Sequence, residues 1–527
     1  MAKKTFVSVT IAFLAFNLYL WQQDSWSRGL EKVAEMISII ESRYYQEVDK
    51  ENLIYSSIQG MMPALDPHSH FLDPSELPTM QEDYKGKYHG LGIMIQKHGE
   101  NLMVISPIEG TPAYRLGIRP GDVISHIEGE STKPISSTEA MKKLRGPEGS
   151  KVTITIQREG MDPFDLTINR EEIPLHSVPY AFILQDDIGY VFIRNFAQTT
   201  TREFMNKLQE LSRQGMKKLI LDFRGNGGGT FVQSLEVADI FLEEGAKIVS
   251  IKGRREYYSK NFFAHRDSEY EDLPLVILIN RGSASAPEIV SGAVQDNDRG
   301  LVVGETSWGK GLVQTVFPLS ENAALALTTA RYYTPSGRSI QRDYAHLEDY
   351  YLAREVPEEE REVSYTQGGR KVMGQGGITP DVFIEMRYQR ITALMLARGL
   401  FFSYARKFAD KETPLSRKYL FPQPEAEEPR GEIPLTPEIS IDDNFLKDYQ
   451  VFLDEEGFEY REEDFWEAGE EIKQELRREV VGAVYGVDAG IKAFRQVDPA
   501  VLKAIEILPE AAGLIQFPTA PSLNKKE

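Results

Sequence analysis

Residues 217–229 read KKLILDFRGNGGG, an apolar run that ends in a glycine-rich turn. Two later runs have the same form: residues 274–286, PLVILINRGSASA, and residues 300–311, GLVVGETSWGKG. Strands that are apolar along their whole length are covered on both faces, and their alternation with amphipathic helices indicates an α/β fold. Because ligands gather at the carboxyl ends of such strands, we expect a functional site at these three turns.

Working outward, the pattern predicts an α/β, multidomain (α+β) protein of 527 residues. Its predicted segments are a signal anchor or signal peptide (1–23), a helical N-terminal segment (24–83), a β-rich module (84–170), the α/β core (171–386) and a helical C-terminal region (387–527). Residues 421–438, FPQPEAEEPRGEIPLTPE, are predicted to be a linker within that last region. The stretch REVPEEEREVSYTQGGRKVMGQGG, residues 354–377, is predicted to be a surface insertion in the core.

The composition excludes several classes of function. The net charge is −20 and no basic stripe is present, so nucleic acid is excluded as the main partner. The chain has no cysteine, which removes thiol nucleophiles, disulfides, Cys-ligated zinc and a lipid-modified cysteine. We therefore expect an ordinary globular protein that needs none of these groups.

The start of the chain has the pattern of an export segment. Lys3 and Lys4 precede the uncharged residues 5–23, TFVSVTIAFLAFNLYLWQQ. This run approaches the roughly 20 residues that span a bilayer and ends without the small residues that a signal peptidase needs. The pattern favours an uncleaved membrane anchor over a cleaved signal, which stays open. We expect the protein in the cell envelope, on the periplasmic or extracytoplasmic side.

Metal and nucleotide sites are not predicted. His68 and His70 alternate in a proline-rich loop that rarely brings ligands together, so no metal or other cofactor is expected. Residues 304–310 match half of a phosphate-binding loop. However, Gly311 stands where the magnesium-binding Ser or Thr should be, and the next residues are predicted to form a strand instead of a helix.

The β-rich module carries a specific pattern. Gly90, Leu91, Gly92 and Ile93 are followed by residues 106–124, SPIEGTPAYRLGIRPGDVI. The whole 84–170 pattern resembles a PDZ domain. In such domains the glycine-bearing turn binds the C-terminal carboxylate of a peptide, which adds a strand to the sheet edge. The resemblance implies that these four residues bind peptide and that the partners are proteins with unstructured C-terminal tails.

Ser285 and Lys310 are the candidate chemical groups of the core turns. Ser285 could be the N-cap of a capping box with Glu288, or a nucleophile exposed at a strand-to-helix turn. Lys310 lies between two glycines beside Trp308, and a free lysine has a pKa of about 10.4. Burial that lowers this pKa by about two to three units would make it a base, whereas an isolated lysine is usually a solvated surface charge.

The core resembles the C-terminal processing peptidases, also called tail-specific proteases. The matching stretches are LILDFRGNGGG, LINRGSASAPEIVSGA, VGETSWGKGLVQ, LTTARYYTPSGRSIQ and GITPD. The resemblance implies a serine endopeptidase in which Ser285 is the nucleophile, Lys310 the general base and Gln314 a residue that positions the lysine. It assigns the oxyanion hole to Ala286 with the turn that contains Gly227 and Gly228.

Several points stay open at this stage. Asp296 matches a third catalytic position of some relatives, but it lies too far along the predicted helix to be included. We expect the helix that ends at Arg145 to transmit PDZ occupancy to the Lys310 turn. An activating or adaptor protein and a homo-oligomer are both compatible with the acidic helical tail. The alternative function is a catalytically inactive PDZ scaffold, in which Ser285 is only a cap and Lys310 only a surface charge.

Overall fold

The computed structural model describes residues 27–158, 160–265, 268–352, 354, 356–385, 387–416 and 439–516. The predicted export segment and the predicted linker lie outside these ranges. The chain divides into a small unit, residues 1–77 with 314–328, and a large unit, residues 78–313 with 329–527. The predicted α/β class is confirmed by the mixed helices and sheets of the large unit.

The core of the large unit is a six-stranded sheet. Its strands in spatial order are Tyr180–Gln185, Ile188–Phe192, Lys218–Asp222, Leu275–Ile279, Leu301–Gly304 and Val382–Phe383. The first two strands pair antiparallel, and all later neighbours pair parallel. The three predicted apolar runs are therefore adjacent central strands, and their glycine-bearing turns emerge at the same edge of the sheet.

Both faces of this sheet are covered, as uninterrupted apolar strands require. Three helices pack on one face: Thr200–Arg213, Phe231–Asp239 and Ala286–Asp296. The other face is covered by the helix Pro499–Gln516, whose buried residues include Val501, Ala504 and Leu508. The last described helix of the C-terminal region is thus part of the hydrophobic core beneath the central strands.

The β-rich module is an antiparallel sheet with two short helices. The strands follow the spatial order Ile93–His98, Asn101–Pro107, Val123–Ile127, Lys151–Gln157 and Phe164–Asn169, with Glu130–Ser131 beside the third. The helices are Pro112–Arg115 and Ser137–Leu144, and the second begins with a capping box between Ser136 and Glu139. Strands Lys87–Gly90 and Glu171–Pro174 pair at the two ends of the module. This arrangement agrees with the predicted PDZ domain.

The large unit contains a further antiparallel sheet. Strand Lys247–Gly253 pairs with Lys260–Phe263 and with residues 330–333. Six further helices of the described ranges belong to the C-terminal region, and all but the last of them contribute to a buried cluster of aromatic and aliphatic side chains. They are Arg390–Ala397, Leu400–Ala409, Asp443–Glu455, Glu462–Glu467, Gly469–Tyr485 and Val487–Arg495.

The small unit contains a helix at residues 27–43, the helix Lys50–Gln59 and a short helical turn at Met62–Ala64. Its strand His70–Leu72 pairs antiparallel with residues 324–326, so the predicted loop at this point is wrong for those three residues. A hydrophobic cluster around Met62 and Phe71 packs beneath the pairing. Across the described ranges, we find no helix with the length and apolar character that crossing a membrane requires.

Candidate active site

Ser285 lies at a sharp turn between the strand Leu275–Ile279 and the helix Ala286–Asp296. Its φ of 62° and ψ of −107° are unusual for a residue with a side chain and store about 1–3 kcal/mol of strain. An ordinary N-cap residue has an extended backbone. The backbone of Ser285 therefore differs from that of a simple cap and resembles the strained turns that expose a nucleophile.

Glu288 joins the serine turn to the lysine turn. Its Oε2 accepts the backbone N–H of Ser285 at 2.6 Å and that of Lys310 at 3.0 Å. Its Oε1 accepts Ser307 Oγ at 2.6 Å and the Gly309 N–H at 2.7 Å. Burial raises the pKa of Glu288, and these four hydrogen bonds offset part of the rise. The sequence predicts the capping-box contact of Glu288 with Ser285 but not its bonds to Ser307, Gly309 and Lys310.

Lys310 is half-buried, in the loop that follows the strand Leu301–Gly304. Besides Glu288, two residues that precede the insertion hold this loop. The Arg342 backbone N–H donates to Gly309 O at 2.9 Å, and its Nε donates to Trp308 O at 2.8 Å. The Trp308 indole N–H donates to the hydroxyl of Tyr350 at 3.2 Å. These contacts fix the path of the backbone immediately before the lysine.

The insertion is only partly a surface feature. Val372 and Met373 within it are buried. The strands Val363–Tyr365 and Lys371–Met373 form a hairpin, and the backbone of Ile378, which follows the insertion, exchanges hydrogen bonds with Ser307. The predicted surface location is therefore wrong for these two residues of the insertion.

The glycine turn lies directly against the serine. A Cβ atom on Gly228, whose φ is +110°, would lie 2.9 Å from Ser285 Cβ, so only glycine fits there. The turn and the serine loop are connected because Ala284 N–H donates to Asn226 O at 3.0 Å. The Gly228 N–H itself donates to Asn226 Oδ1 at 2.9 Å. In this conformation that predicted oxyanion donor is engaged within its own turn.

The other predicted oxyanion residues lie in positions that fit the role. Ala286 is the first residue of the nucleophile helix, where backbone N–H groups have no acceptor within the helix. Gly227 precedes Gly228 in the same turn and has no other atom within 4 Å of a Cβ position. The role of both residues as oxyanion donors stays a prediction.

Gln314 belongs to the small unit, where its Nε2 donates to Thr328 Oγ1 at 3.1 Å. Thr328 Oγ1 in turn donates to Asp66 Oδ1 at 3.1 Å. Burial opposes ionisation of Asp66, but hydrogen bonds from Ser69 and neighbouring groups lower its pKa overall. The predicted role of Gln314 beside the lysine stays a prediction.

Asp296 binds Arg338 and Ser336 instead of the turns that carry Ser285 and Lys310. Its Oδ1 accepts Arg338 Nη2 at 2.7 Å, and its Oδ2 accepts the hydroxyl and backbone N–H of Ser336. Both Asp296 and Arg338 are buried. The carboxylate therefore fastens residues 336–338 to the end of the nucleophile helix, which gives it a structural function independent of the chemistry at Ser285.

The predicted peptide-binding residues line one groove. Gly90, Leu91, Gly92 and Ile93 form one wall of a groove of about 40 Å³, and the helix Ser137–Leu144 contributes Met141 and Leu144. A groove between a strand and a helix is the shape that accepts an added peptide strand. The structure thus brings these four residues together at one groove, and their binding of peptide stays a prediction.

Arg145 lies at both this groove and a second cavity. The guanidinium stacks over Tyr88 at 4.4 Å and pairs with Glu82 at 3.2 Å. The second cavity, of about 370 Å³, is also lined by Gly227, Gly228 and Gly229. From the sequence, we expect the helix that ends at Arg145 to transmit peptide binding to the Lys310 turn. The cavity that Arg145 lines is bounded by the glycine turn.

Metal chemistry has no visible site in the part of the chain that the structure describes. No group of three or more His, Asp or Glu side chains there could hold a metal ion. Asp66, near the two loop histidines, instead accepts the backbone N–H groups of His68 and Ser69 at 2.8 Å each. Its carboxylate shapes the loop.

Three family models match the chain. The one described as peptidase family S41 matches residues 187–348, a PDZ domain model matches residues 103–158, and a model of the activating protease CtpB N-terminal domain matches residues 19–75. Ser285, Glu288, Lys310 and Gln314 all lie within the first range. The helical C-terminal region lies beyond it.

Curated relatives agree with these matches. The chain is 36% identical over 374 residues to a carboxy-terminal-processing protease of Bartonella bacilliformis, which covers 70% of this chain and 85% of the relative. It is 32% identical over 339 residues to the carboxy-terminal processing protease CtpA of Bacillus subtilis, covering 64% and 72%. The structure of a photosystem II D1 C-terminal processing protease is 30% identical, with a TM-score of 0.37 over 65% of this chain and 84% of that one.

Proposed function

Because the chain belongs to the carboxy-terminal processing proteases, serine-type peptidases of family S41 with a PDZ domain, we propose that it is an endopeptidase with a Ser285–Lys310 dyad. The observation that carries the proposal is the shared oxygen of Glu288, which accepts the backbone N–H of both residues. Two residues that are 25 positions apart are thereby fixed to one buried atom.

The proposed reaction begins with proton transfer from Ser285 Oγ to the neutral Lys310 amine. The serine oxygen attacks the peptide carbonyl, and backbone N–H groups of Ala286 and the glycine turn stabilise the oxyanion. The lysine then gives its proton to the leaving amine, which leaves an acyl-enzyme. A water molecule hydrolyses this ester, with Lys310 again accepting the proton. Gln314 is proposed to position the lysine.

Substrate recognition is proposed to occur in the groove between Gly90–Ile93 and the helix Ser137–Leu144. The C-terminal carboxylate of an unstructured tail would bind the glycine-bearing turn, and its side chains would contact Met141 and Leu144. This mode selects substrates by a free carboxyl terminus and an apolar tail. It also separates the site of recognition from the site of cleavage.

The decisive experiment measures cleavage of an unstructured protein with a free apolar C-terminus, without added metal or nucleotide. We expect the wild type to cut, and Ser285→Ala, Lys310→Ala and Lys310→Arg to be inactive but folded, since an arginine stays charged at neutral pH. Ser291→Ala, on the same helix with its hydroxyl bonded to Pro287 O, is the control that keeps activity. An inactive but tail-binding wild type would instead support the scaffold function.

Arg145 is proposed to couple tail binding to catalysis through the glycine turn. The support is that its side chain lines both the peptide groove and the cavity beside Gly227–Gly229. We expect Arg145→Ala to bind tail peptide but to lose peptide-stimulated cleavage. Arg115→Ala, which removes a surface pair with Glu171 in the same domain, is the matched control. Normal stimulation of Arg145→Ala would refute the coupling.

The proposed location is the cell envelope, anchored by residues 5–23. The support is the sequence pattern of two lysines before a long uncharged run. The N-terminal mass of the protein recovered from envelope membranes tests it, because an intact N-terminus indicates an anchor and a mass that lacks the run indicates a cleaved signal. The N-terminal match to an activating protease supports an activating or adaptor partner on the same side.

A further inference from the structure

Asp498 connects the C-terminal region to the active-site edge of the core sheet. It precedes the helix Pro499–Gln516 and accepts the backbone N–H of Ala500 at 3.0 Å. Only 3% of Asp498 is exposed. Its two carboxylate oxygens also accept Arg224, at 3.1 Å from Nη1 and 2.8 Å from Nη2. Arg224 lies in the turn that leads to the glycines, 274 residues earlier in the chain.

This pair belongs to a buried cluster of two acids and two bases. Arg224 also contacts Asp222 at 2.6 Å, and Arg495 contacts Asp498 at 2.7 Å. The hydroxyl of Tyr190 donates to Asp222 at 2.7 Å. Burial opposes ionisation of both acids, but the Arg224 guanidinium holds the pKa of each below its ordinary value. Removing one acid would leave an excess of buried positive charge.

From Arg224 the contacts continue to the nucleophile. The side-chain amide of Asn226 donates to Ile193 O at 2.8 Å, while the backbone carbonyl of Asn226 accepts the N–H of Ala284, the residue before Ser285. Gly228, two residues further, lies against Ser285. The position of the arginine therefore sets the start of a turn whose end forms one side of the serine site. Displacements of about 1 Å at such a site reduce turnover by about a hundredfold.

A purely structural role would also explain a buried ion cluster, because the helix Pro499–Gln516 is part of the core. Two features go beyond it. Asp498 caps that helix by accepting the N–H groups of Ala500 and Val501, so the helix fixes the position of the carboxylate that binds Arg224. Arg224 is in the active-site turn itself, and its side chain, which is only 8% exposed, is held by Asp222 as well as by Asp498.

We infer that Asp498 is a positioning residue for the glycine turn beside Ser285, so that the helical C-terminal region is an integral part of the active site. The inference rests on the proposed function, because it assigns the turn a role in peptide hydrolysis. Asp498 has no contact with substrate; it acts through Arg224.

The test compares Asp498→Asn with Asp448→Asn in the full chain. Asn at 498 can still accept the Ala500 N–H but no longer neutralises Arg224. Asp448 is a matched control, a buried acid of the same region that accepts the Tyr404 hydroxyl at 2.8 Å and the Leu415 N–H at 3.1 Å. The measurements are kcat, KM, thermal unfolding, affinity for a peptide boronic acid and hydrogen exchange at residues 224–229.

In Asp498→Asn we expect kcat and boronate affinity to fall about tenfold or more with KM nearly unchanged, and faster hydrogen exchange at residues 224–229. Asp448→Asn should lower the unfolding temperature by a similar amount but leave kcat unchanged. Equal kcat in the two variants, or unchanged exchange at the turn, overturns the inference. The exchange measurement is independent of catalysis, so an inactive wild type would refute the proposed function while the positioning role is still decided.

Discussion

The backbone N–H of Ser285 lies 2.6 Å from Glu288 Oε2, one turn later in the nucleophile helix. This contact makes the glutamate more than a helix cap, because the same oxygen also accepts the Lys310 N–H. A side chain buried to 1% exposure thereby fixes the separation of the two proposed catalytic residues. The proposed dyad is accordingly held by its backbone, independently of any contact between its side chains.

Glu288→Gln is expected to reduce kcat by about 10- to 100-fold and to destabilise the fold by about 1–3 kcal/mol. Both glutamate oxygens accept two donors each. The amide group of glutamine would therefore direct N–H atoms at other N–H or O–H groups. Steady-state kinetics and urea unfolding measure the two effects. Glu475→Gln, at a buried glutamate of the C-terminal region, controls for loss of a buried charge; an equal loss of kcat there would contradict the assignment.

Tyr350→Phe is expected to lower kcat several-fold, because it leaves the Trp308 indole N–H without its acceptor beside the Lys310 loop. Tyr350→Ala should have a larger effect, since it also leaves a cavity and costs about 3–5 kcal/mol. Tyr351→Ala is the matched control, since this neighbouring ring is 58% exposed. Kinetics and thermal unfolding of the three variants provide the measurement. Unchanged turnover in Tyr350→Phe would show that this tyrosine does not position the lysine loop.

The α/β core could be predicted from sequence because its central strands are buried on both faces and are apolar along their length. The strand His70–Leu72 could not. Its three residues are too few to show an alternation of apolar and polar side chains. Its pairing with residues 324–326 is made by backbone groups. The position of the helix Pro499–Gln516 could not be predicted either, because the sequence indicates a helical C-terminal region but not which surface this helix covers.

At the site, Ser285 and Lys310 could be proposed because each lies in a glycine- or small-residue turn and because the core resembles the C-terminal processing peptidases. The additional functions of Glu288 and Tyr350 depend on tertiary contacts. A capping box explains the glutamate completely at the level of sequence, and its bonds to Ser307, Gly309 and Lys310 appear only when two loops meet. The tyrosine lies just before the acidic insertion, where local charge obscures a single buried ring.

The buried acids Asp222 and Asp498 are expected to make the fold sensitive to acid. Their pKa values are lowered in the folded state, so the stability that they contribute is complete above the ordinary value of about 3.9 and is lost as the pH falls through the folded values. Urea unfolding between pH 6 and pH 3 measures this loss. Asp498→Asn should show a slope below about pH 4 that is shallower by up to about 1.4 kcal/mol per pH unit. An identical slope in wild type and variant would contradict the ionised pair.

Gly92→Ala is expected to abolish binding of tail peptide. The residue has a φ of +75°, and a Cβ there would lie 2.3 Å from Thr111 Cβ, so the turn that carries the proposed carboxylate site would have to move. Gly99→Ala is a matched control in the same domain, because its φ is +58° but nothing lies within 4 Å of its Cβ position. Both variants incur about 1–2 kcal/mol of backbone strain. Fluorescence polarisation with a labelled apolar tail peptide should show at least a tenfold loss of affinity for Gly92→Ala alone. Equal affinity in the two variants would place the carboxylate site elsewhere in the domain.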